Sequence, residues 1–306
     1  MPIFITHDGT FHADDVLAYV VLSHAYANGP NGDGLVRTRQ EGWFRSSGDL
    51  FVFDVGGVYD PGARRYDHHM NDRPRREDGS YFSSVGLVWR HHGMDFLRRL
   101  HPGVDDGVLS RVWARLDMGL ICAVDDLDNG IGEVRPDLFA RIIAAFNPQW
   151  DSEATFDSCF LEAAAVASKT LLAIVKGELA SERATEIVRR AIEESLAPSV
   201  VVLPAWTPSE HVVVREAPTA LYVVFPKDGL WYCRAVPDES GSFRNSMPFP
   251  RQWAGLRGEV SANVSGISDA EFCHPSLFIC GARSREGALG LAMESKRIAV
   301  ESTKDP

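Results

Sequence analysis

The chain opens with a short apolar run, "PIFIT" (2–6). "ADDVLAYVVLSHAYA" (13–27) follows, with apolar residues at helical spacing, and then two more apolar runs, "LVRTR" (35–39) and "LFVFDV" (50–55). The order strand, helix, strand, strand predicts parallel strands with covering helices. Helical periodicity returns at about 84–92, 107–127, 137–146 and 156–196, with Gly177 as a point of interruption in the last. From Ser199 the pattern changes to β-branched and aromatic runs, "SVVVLP", "HVVVRE", "ALYVVFP" and "LWYCRAVP", separated by Pro, Gly and acidic turns. These read as strands of a second, mainly antiparallel layer. A last strand, "LFIC", passes through "GARSREG" into the helix "ALGLAMESKRIAV". The expected architecture is α/β: a parallel-sheet domain with helices on both faces (1–150), connecting helices (151–197) and a smaller α+β domain (198–306).

With 306 residues, 45% of them hydrophobic, each domain can bury a core of its own. No stretch of about 18 apolar residues stands out, and "MPIFITHDG" lacks the features of a secretory signal, so a soluble, cytoplasmic protein without membrane contact is expected. The five cysteines nowhere form Cys-x-x-Cys, which points to free thiols and excludes a thiolate zinc site of that spacing. A formal charge of −11 argues against wholesale wrapping of nucleic acid. Local arginine clusters stand against that average: Arg64/Arg65, Arg73/Arg75/Arg76, Arg98/Arg99 and Arg283/Arg285.

The candidate chemistry gathers in the first 130 residues. His7, His12 and Asp14 follow a strand and precede a helix, in the loop position where open α/β sheets bind ligands. Asp14 or Asp15 also suits a helix cap. Asp54 ends an apolar strand before Gly56-Gly57, where burial is costly unless a cation or hydrogen-bond donors satisfy it; a turn with the glycines is the other reading. Asp67, His68 and His69 sit at another strand exit. Asp125, Asp126 and Asp128 in "AVDDLDNGIG" end an apolar helix, where acids oppose the helix dipole and invite a cation. This mixed histidine and carboxylate set suits manganese, cobalt, iron or zinc, with magnesium an option, and fits two ions better than one. Ser83 and Ser84 in "SSVGLVW" offer either helix capping or a phosphate contact. Gly281 and Gly287 flank Arg283 and Arg285 before the last helix, so backbone amides and guanidinium groups there suit a phosphate. His91-His92 reads as a helix end complementing the dipole.

"RYDHHMND" resembles the third motif of the DHH phosphoesterase superfamily, which includes RecJ-type exonucleases and family II inorganic pyrophosphatases. "THDGTFHADDVLA", "DVGGVYDPGARRYDHHMND", "SSVGLVW", "VDDLDNGI" and "SREGALGLA" are similar, in order, to the Myg family, the melanocyte-proliferating-gene-one type of metal-dependent hydrolase and RNA exonuclease. The resemblance implies a DHH-type metal domain followed by a DHH-associated substrate domain. It implies two divalent cations, Mn²⁺ by preference, one held by His7, His12 and Asp54 and the other by Asp14, His68 and Asp125, with Asp54 bridging and Asp128 as the alternative to Asp125. His69 would face the scissile phosphate, and Asp67 or a backbone carbonyl would fix the tautomer of His68. The implied activity is 3′-5′ exonucleolytic hydrolysis of single-stranded RNA or short oligonucleotides. Alternatives are hydrolysis of a dinucleotide or pyrophosphate-like compound, and a non-catalytic metal-binding regulator. Arg283, Arg285, Gly281, Gly287, Ser83 and Ser84 are the expected substrate contacts, with Trp231, Tyr232 and Phe243 as stacking candidates. The oligomeric state is left open, a homodimer among the options.

Overall fold

The apolar runs near the N-terminus form the strands of the first sheet. The structure, a computed structural model, describes residues 1–44, 49–131, 138–195 and 197–302. Strands β1 (Ile3–Thr6), β2 (Leu35–Arg37) and β3 (Leu50–Phe53) are followed by the short β4 (Tyr59–Asp60) and β5 (Arg65–Tyr66). Their order is β2-β1-β3-β5-β4, parallel throughout except for β4 against β5. Helix α1 (Ala13–Tyr26) is buried along most of its length, as suits a helix that is apolar all round. The four-residue α2 (Glu41–Phe44) lies on the opposite face of the sheet, where Phe44 closes a small cluster with Ile5, Leu50 and Val52. Helix α3 (Ser84–Leu100) packs on α1 over the larger core. Among the described residues of this unit both faces of the sheet carry helix, unequally: most helices gather over the larger core, and the short α2 lies on the other face.

Helix α4 (Asp106–Leu116) runs through a π-helical turn, Asp117–Ile121, into α5 (Cys122–Asp128), and α6 (Leu138–Ala144) follows. The 38-residue α7 (Phe156–Glu193) passes Gly177 without a break. It is the one described helix long and apolar enough to cross a membrane, contrary to the reading that no such stretch exists. Its Phe160, Ala163, Ala164, Ala167, Leu171 and Val175 recur at steps of three and four and lie in the core of the first unit.

The chain divides into two units, Met1–Leu179 and Ala180–Pro306. Helix α7 has residues in both, since its Val188 and Ala191 belong to a core of the second. The second unit holds β6 (Val200–Val202), α8 (Glu210–Glu216), β7 (Tyr222–Lys227), β8 (Leu230–Ala235), α9 (Gly258–Ser265), β9 (Ala270–Cys273), β10 (Ile279–Ala282) and α10 (Arg285–Ser302). The sheet order is β6-β7-β8-β10-β9, antiparallel except for β6 with β7. The run "HVVVRE", read as a strand, is α8: it begins after Ser209 and buries the adjacent Val212 and Val213, whereas a strand would alternate. The chain is a mixed α/β protein with two five-stranded sheets.

Candidate metal centre

Five short segments deliver the donors. His7 follows β1, and His12, Asp14 and Asp15 start α1. Asp54 follows β3, Asp67 to His69 follow β5, and Asp128 ends α5. Asp54 has φ +54°, a left-handed conformation that aspartate tolerates at a cost, and it turns the chain as β3 ends. Its carboxylate sits at the centre of the set. His7 Nε2 is 3.1 Å from Asp54 Oδ2 and 3.3 Å from Asp15 Oδ2. His68 Nε2 is 3.3 Å from Asp54 Oδ1, 3.2 Å from Asp128 Oδ2 and 3.9 Å from Asp14 Oδ2. Three groups offer donor atoms all within 4.8 Å of one another: His7, Asp15 and Asp54; His12, Asp14 and Asp128; and Asp54, His68 and His69.

This grouping differs from the one implied by resemblance. His12 stands with Asp14 and Asp128, apart from His7 and Asp54. Asp15, considered only as a cap, both caps and faces the cluster: Oδ1 accepts from the His12 backbone N–H at 2.9 Å, which leaves Oδ2 to His7. Asp125 is elsewhere. Its Oδ1 accepts from the backbone N–H (3.0 Å) and hydroxyl (2.7 Å) of Ser83, and its Oδ2 accepts from Arg76 (2.7 Å). It thus supplies a negative charge to the start of α3, and a Cβ on Gly86 would overlap its carboxylate. Asp128, three residues on, stands with His12 and Asp14.

Both oxygens of Asp14, Oδ2 of Asp15 and both ring nitrogens of His68 are buried with no hydrogen-bond partner among the described residues. Burial of so many polar atoms without hydrogen bonds is costly, and nitrogen and oxygen donors converging on common points suit borderline-hard divalent cations. The residues therefore fit the metals implied by the resemblance. Electrostatics agree. Burial, reinforced by Asp54, Asp128 and Asp15, raises the Asp14 pKa well above the ordinary carboxylate value. Burial and Asp54 raise that of Asp15 to about 7. Burial would raise Asp54 too, but His68 and His7 outweigh it and hold it low. Without cations the cluster keeps protons in place of positive charge.

Asp67 organises the next layer. Its Oδ1 accepts from the backbone N–H groups of His68 (2.7 Å) and His69 (3.1 Å) and lies 2.8 Å from His69 Nδ1; its Oδ2 accepts from the Gly57 N–H. Asp67 therefore orients His69, while the ring of His68, expected to be fixed by Asp67 or a backbone carbonyl, makes neither hydrogen bond among the described residues. The His69 side chain is 63% exposed, and the hydrogen bond to Asp67 raises its pKa above 6.5. Ser84 Oγ donates to Asp54 Oδ1 at 3.1 Å. Ser83 and Ser84 are both fully buried, so they support Asp125 and Asp54 and offer nothing to a substrate. A cavity of about 1260 Å³ opens on the cluster, with Arg39, Arg65, Arg73, His69 and Asn129 in its walls. Arg73 lies 4.2 Å from the Tyr81 ring centre and donates to Asn129 Oδ1 at 3.0 Å. Of these arginines, Arg65 and Arg73 belong to the clusters visible in the sequence, and Arg39 does not.

In the second unit the turn before α10 is already occupied. Asp269 Oδ2 accepts from the Ser284 backbone N–H (2.8 Å) and hydroxyl (2.5 Å), and a Cβ on Gly287 would overlap its carboxylate. The glycine makes room for an internal anion at the helix start, where the sequence reading placed a phosphate. Gly281 lies against the Phe272 ring, which a Cβ would overlap. Arg283 pairs with Glu271 at 2.8 Å. Arg285 lines a mostly apolar cavity of about 610 Å³ beside Trp231. Phe243 is fully exposed.

A family model described as "Uncharacterised protein family (UPF0160)" and labelled MYG1_exonuc matches residues 3–295. The MYG1 exonuclease of Homo sapiens is 32% identical over 94% of this chain and 84% of its own length. MYG1 proteins of Schizosaccharomyces pombe (28%; 95% and 96% covered) and Chlamydia pneumoniae (31%; 96% and 97% covered) are similar over nearly all of both chains. A crystal structure of RecJ with Mg²⁺ from Thermus thermophilus aligns with 98% of this chain and 50% of its own, at 13% identity and a TM-score of 0.30. With a family model spanning almost every residue and relatives above 30% identity along nearly the full length, this chain belongs to the MYG1 exonuclease family.

Proposed function

We propose that the chain is a metal-dependent phosphodiesterase of the DHH type that removes nucleotides from the 3′ end of single-stranded RNA or short oligonucleotides, with Mn²⁺ as the preferred ion. The observation that carries this reading is the convergence of buried donors on Asp14, Asp15 and His68, none with a well-formed hydrogen bond, around the Asp54 carboxylate. The name of the human relative, an exonuclease, supports the reaction class. The 3′-5′ polarity rests on the Myg resemblance alone.

His7, Asp15 and Asp54 would hold one cation, and His12, Asp14, Asp128 and His68 the other, with Asp54 between. Divalent cations there supply charge that acidifies water and neutralises negative charge developing on the phosphate. His7 Nδ1 lies 3.0 Å from the Asp8 carbonyl oxygen and 3.1 Å from an Arg39 guanidinium nitrogen, which hold the ring with Nε2 towards Asp54 and Asp15. His69 Nδ1 donates to Asp67, and the raised pKa keeps its ring protonated closer to neutrality. It is suited to give the Nε2 proton to the leaving oxygen as the water oxygen bonds to phosphorus and the P–O bond to the chain breaks, its electrons staying on that oxygen. The ring regains a proton from the one that water loses. Arg39, Arg65 and Arg73 suit the flanking phosphates. In the second unit Arg283 and Arg285 are the proposed outer contacts.

Replacing Asp54 with alanine tests the reading. Hydrolysis of end-labelled RNA, matching DNA and dinucleotides is expected to fall more than about a hundredfold together, beyond what loss of an outer partner costs. Activity retained on any of these substrates would refute the shared centre.

A further inference from the structure

The donors His12 and Asp128 line two cavities of opposite character. One is the arginine-walled cavity already described. The other, about 350 Å³, also touches Ala13 and Asp14 of α1 and is otherwise walled by Val124 and Leu127 of α5 and by Ala140, Arg141 and Ala144 of α6. Apart from His12, Asp14 and Asp128, Arg141 is its one charged group. Leu127 is 38% exposed, a large apolar side chain left open to water beside the cluster.

A phosphodiester seated on these donors carries two substituents. The one with further phosphates is polyanionic and suits Arg39, Arg65 and Arg73. The end nucleoside carries no further phosphate, and its base presents broad apolar faces that suit alkyl walls and a guanidinium plane. At about 350 Å³ the smaller cavity is near the lower limit of ligand pockets, room for one nucleoside and not for two. Resting on the phosphodiesterase reading, we propose that this apolar cavity holds the base and sugar of the terminal nucleotide, so that the partition of His12, Asp14 and Asp128 lies under the bond that releases one mononucleotide. The cavity then offers walls to one nucleoside only, which favours a chain end over an internal position.

Ala144 is exposed, so Ala144→Trp fills the cavity from its mouth without disturbing the core, and Ala145→Trp, one residue on and also exposed, is the control. Two measurements are made on Mn²⁺-loaded full-length protein. The first is kcat/KM on an oligonucleotide with an ordinary end and on one whose last residue lacks its base. The second is calorimetric binding of adenosine monophosphate. Expected are a roughly tenfold loss for Ala144→Trp on the ordinary end, little change on the baseless end, a similar weakening of nucleotide binding, and wild-type behaviour of the control. Equal losses on both ends, or none with nucleotide binding intact, would overturn the proposal. Wild-type protein that binds the nucleotide through this cavity but cleaves neither oligonucleotide would overturn the phosphodiesterase reading and leave the cavity assignment standing. Wild-type protein that binds no nucleotide would overturn the cavity assignment.

Discussion

Asp125 and Asp128 stand three residues apart on one helix with different tasks. Asp125 is held by Ser83 and Arg76, while Asp128 Oδ2 lies 3.2 Å from His68 Nε2. Replacing Asp125 with alanine takes one of the two carboxylates from Arg76, which keeps Asp117, and leaves the buried Ser83 donors without their partner; it should lower stability by about 2 kcal/mol in denaturant unfolding. Metal affinity of the folded protein should persist. Asp128→Ala should do the reverse, weakening metal binding at little cost in stability; the same outcome for both variants would undo the distinction. Motif spacing could not separate them, because the stretch is alike whichever aspartate faces the cluster. Asp15 was missed because a cap explains one of its oxygens and leaves the other unaccounted for. His7, His12, Asp14, Asp54, His68 and His69 were legible as candidates because each stands where a strand or helix meets a loop.

At the scale of elements, the π turn at Asp117–Ile121 explains how Arg76 finds two carboxylates. Eight residues of regular α-helix would leave Asp117 and Asp125 about 80° apart, whereas one extra residue in the turn makes the interval two full turns. Both then grip Arg76, at 2.6 Å and 2.7 Å. Residue type did not reveal the turn, since periodicity over 107–127 reads as one plain helix. Helix α3 carries a second buried device. Tyr66 donates to His92 Nε2, His92 Nδ1 is 2.7 Å from the Tyr26 hydroxyl, and that hydroxyl donates to Asp95 at 2.6 Å. His92 lies inside the helix, not at its end as read from "WRHHG". Burial lowers its pKa to about 4, helped by His91 and Arg64 and opposed by Asp95. A folded value below the unfolded one, about 6.5, means that the neutral ring's contribution is complete above pH 6.5 and is lost as pH falls towards 4. The full effect is about 3 kcal/mol. His92→Gln, which cannot titrate, should therefore show a smaller drop in Tm between pH 7 and pH 4.5 than the wild type; an identical drop would exclude His92 as its source.

Across the whole molecule, the alternation of strands and helices announced the first sheet, and the composition change near Ser199 announced the second. What escaped was set by tertiary context. A valine-rich run became helix α8 because two adjacent valines both face a core, and α7 hid its division of labour because one amphipathic stripe serves two hydrophobic clusters in turn. The net charge of −11 describes the average surface, whereas the cavity over the cluster has arginines in its wall. The proposed reaction requires that buried carboxylates and imidazoles of the first unit hold two divalent cations. The decisive experiment is calorimetric titration of metal-stripped protein with Mn²⁺ near pH 6.5, in buffers of different ionisation enthalpy. Two ions should bind per chain and release protons, because burial keeps Asp14 and Asp15 protonated until a cation arrives. Binding of fewer than two ions, or of two without proton release, would contradict it.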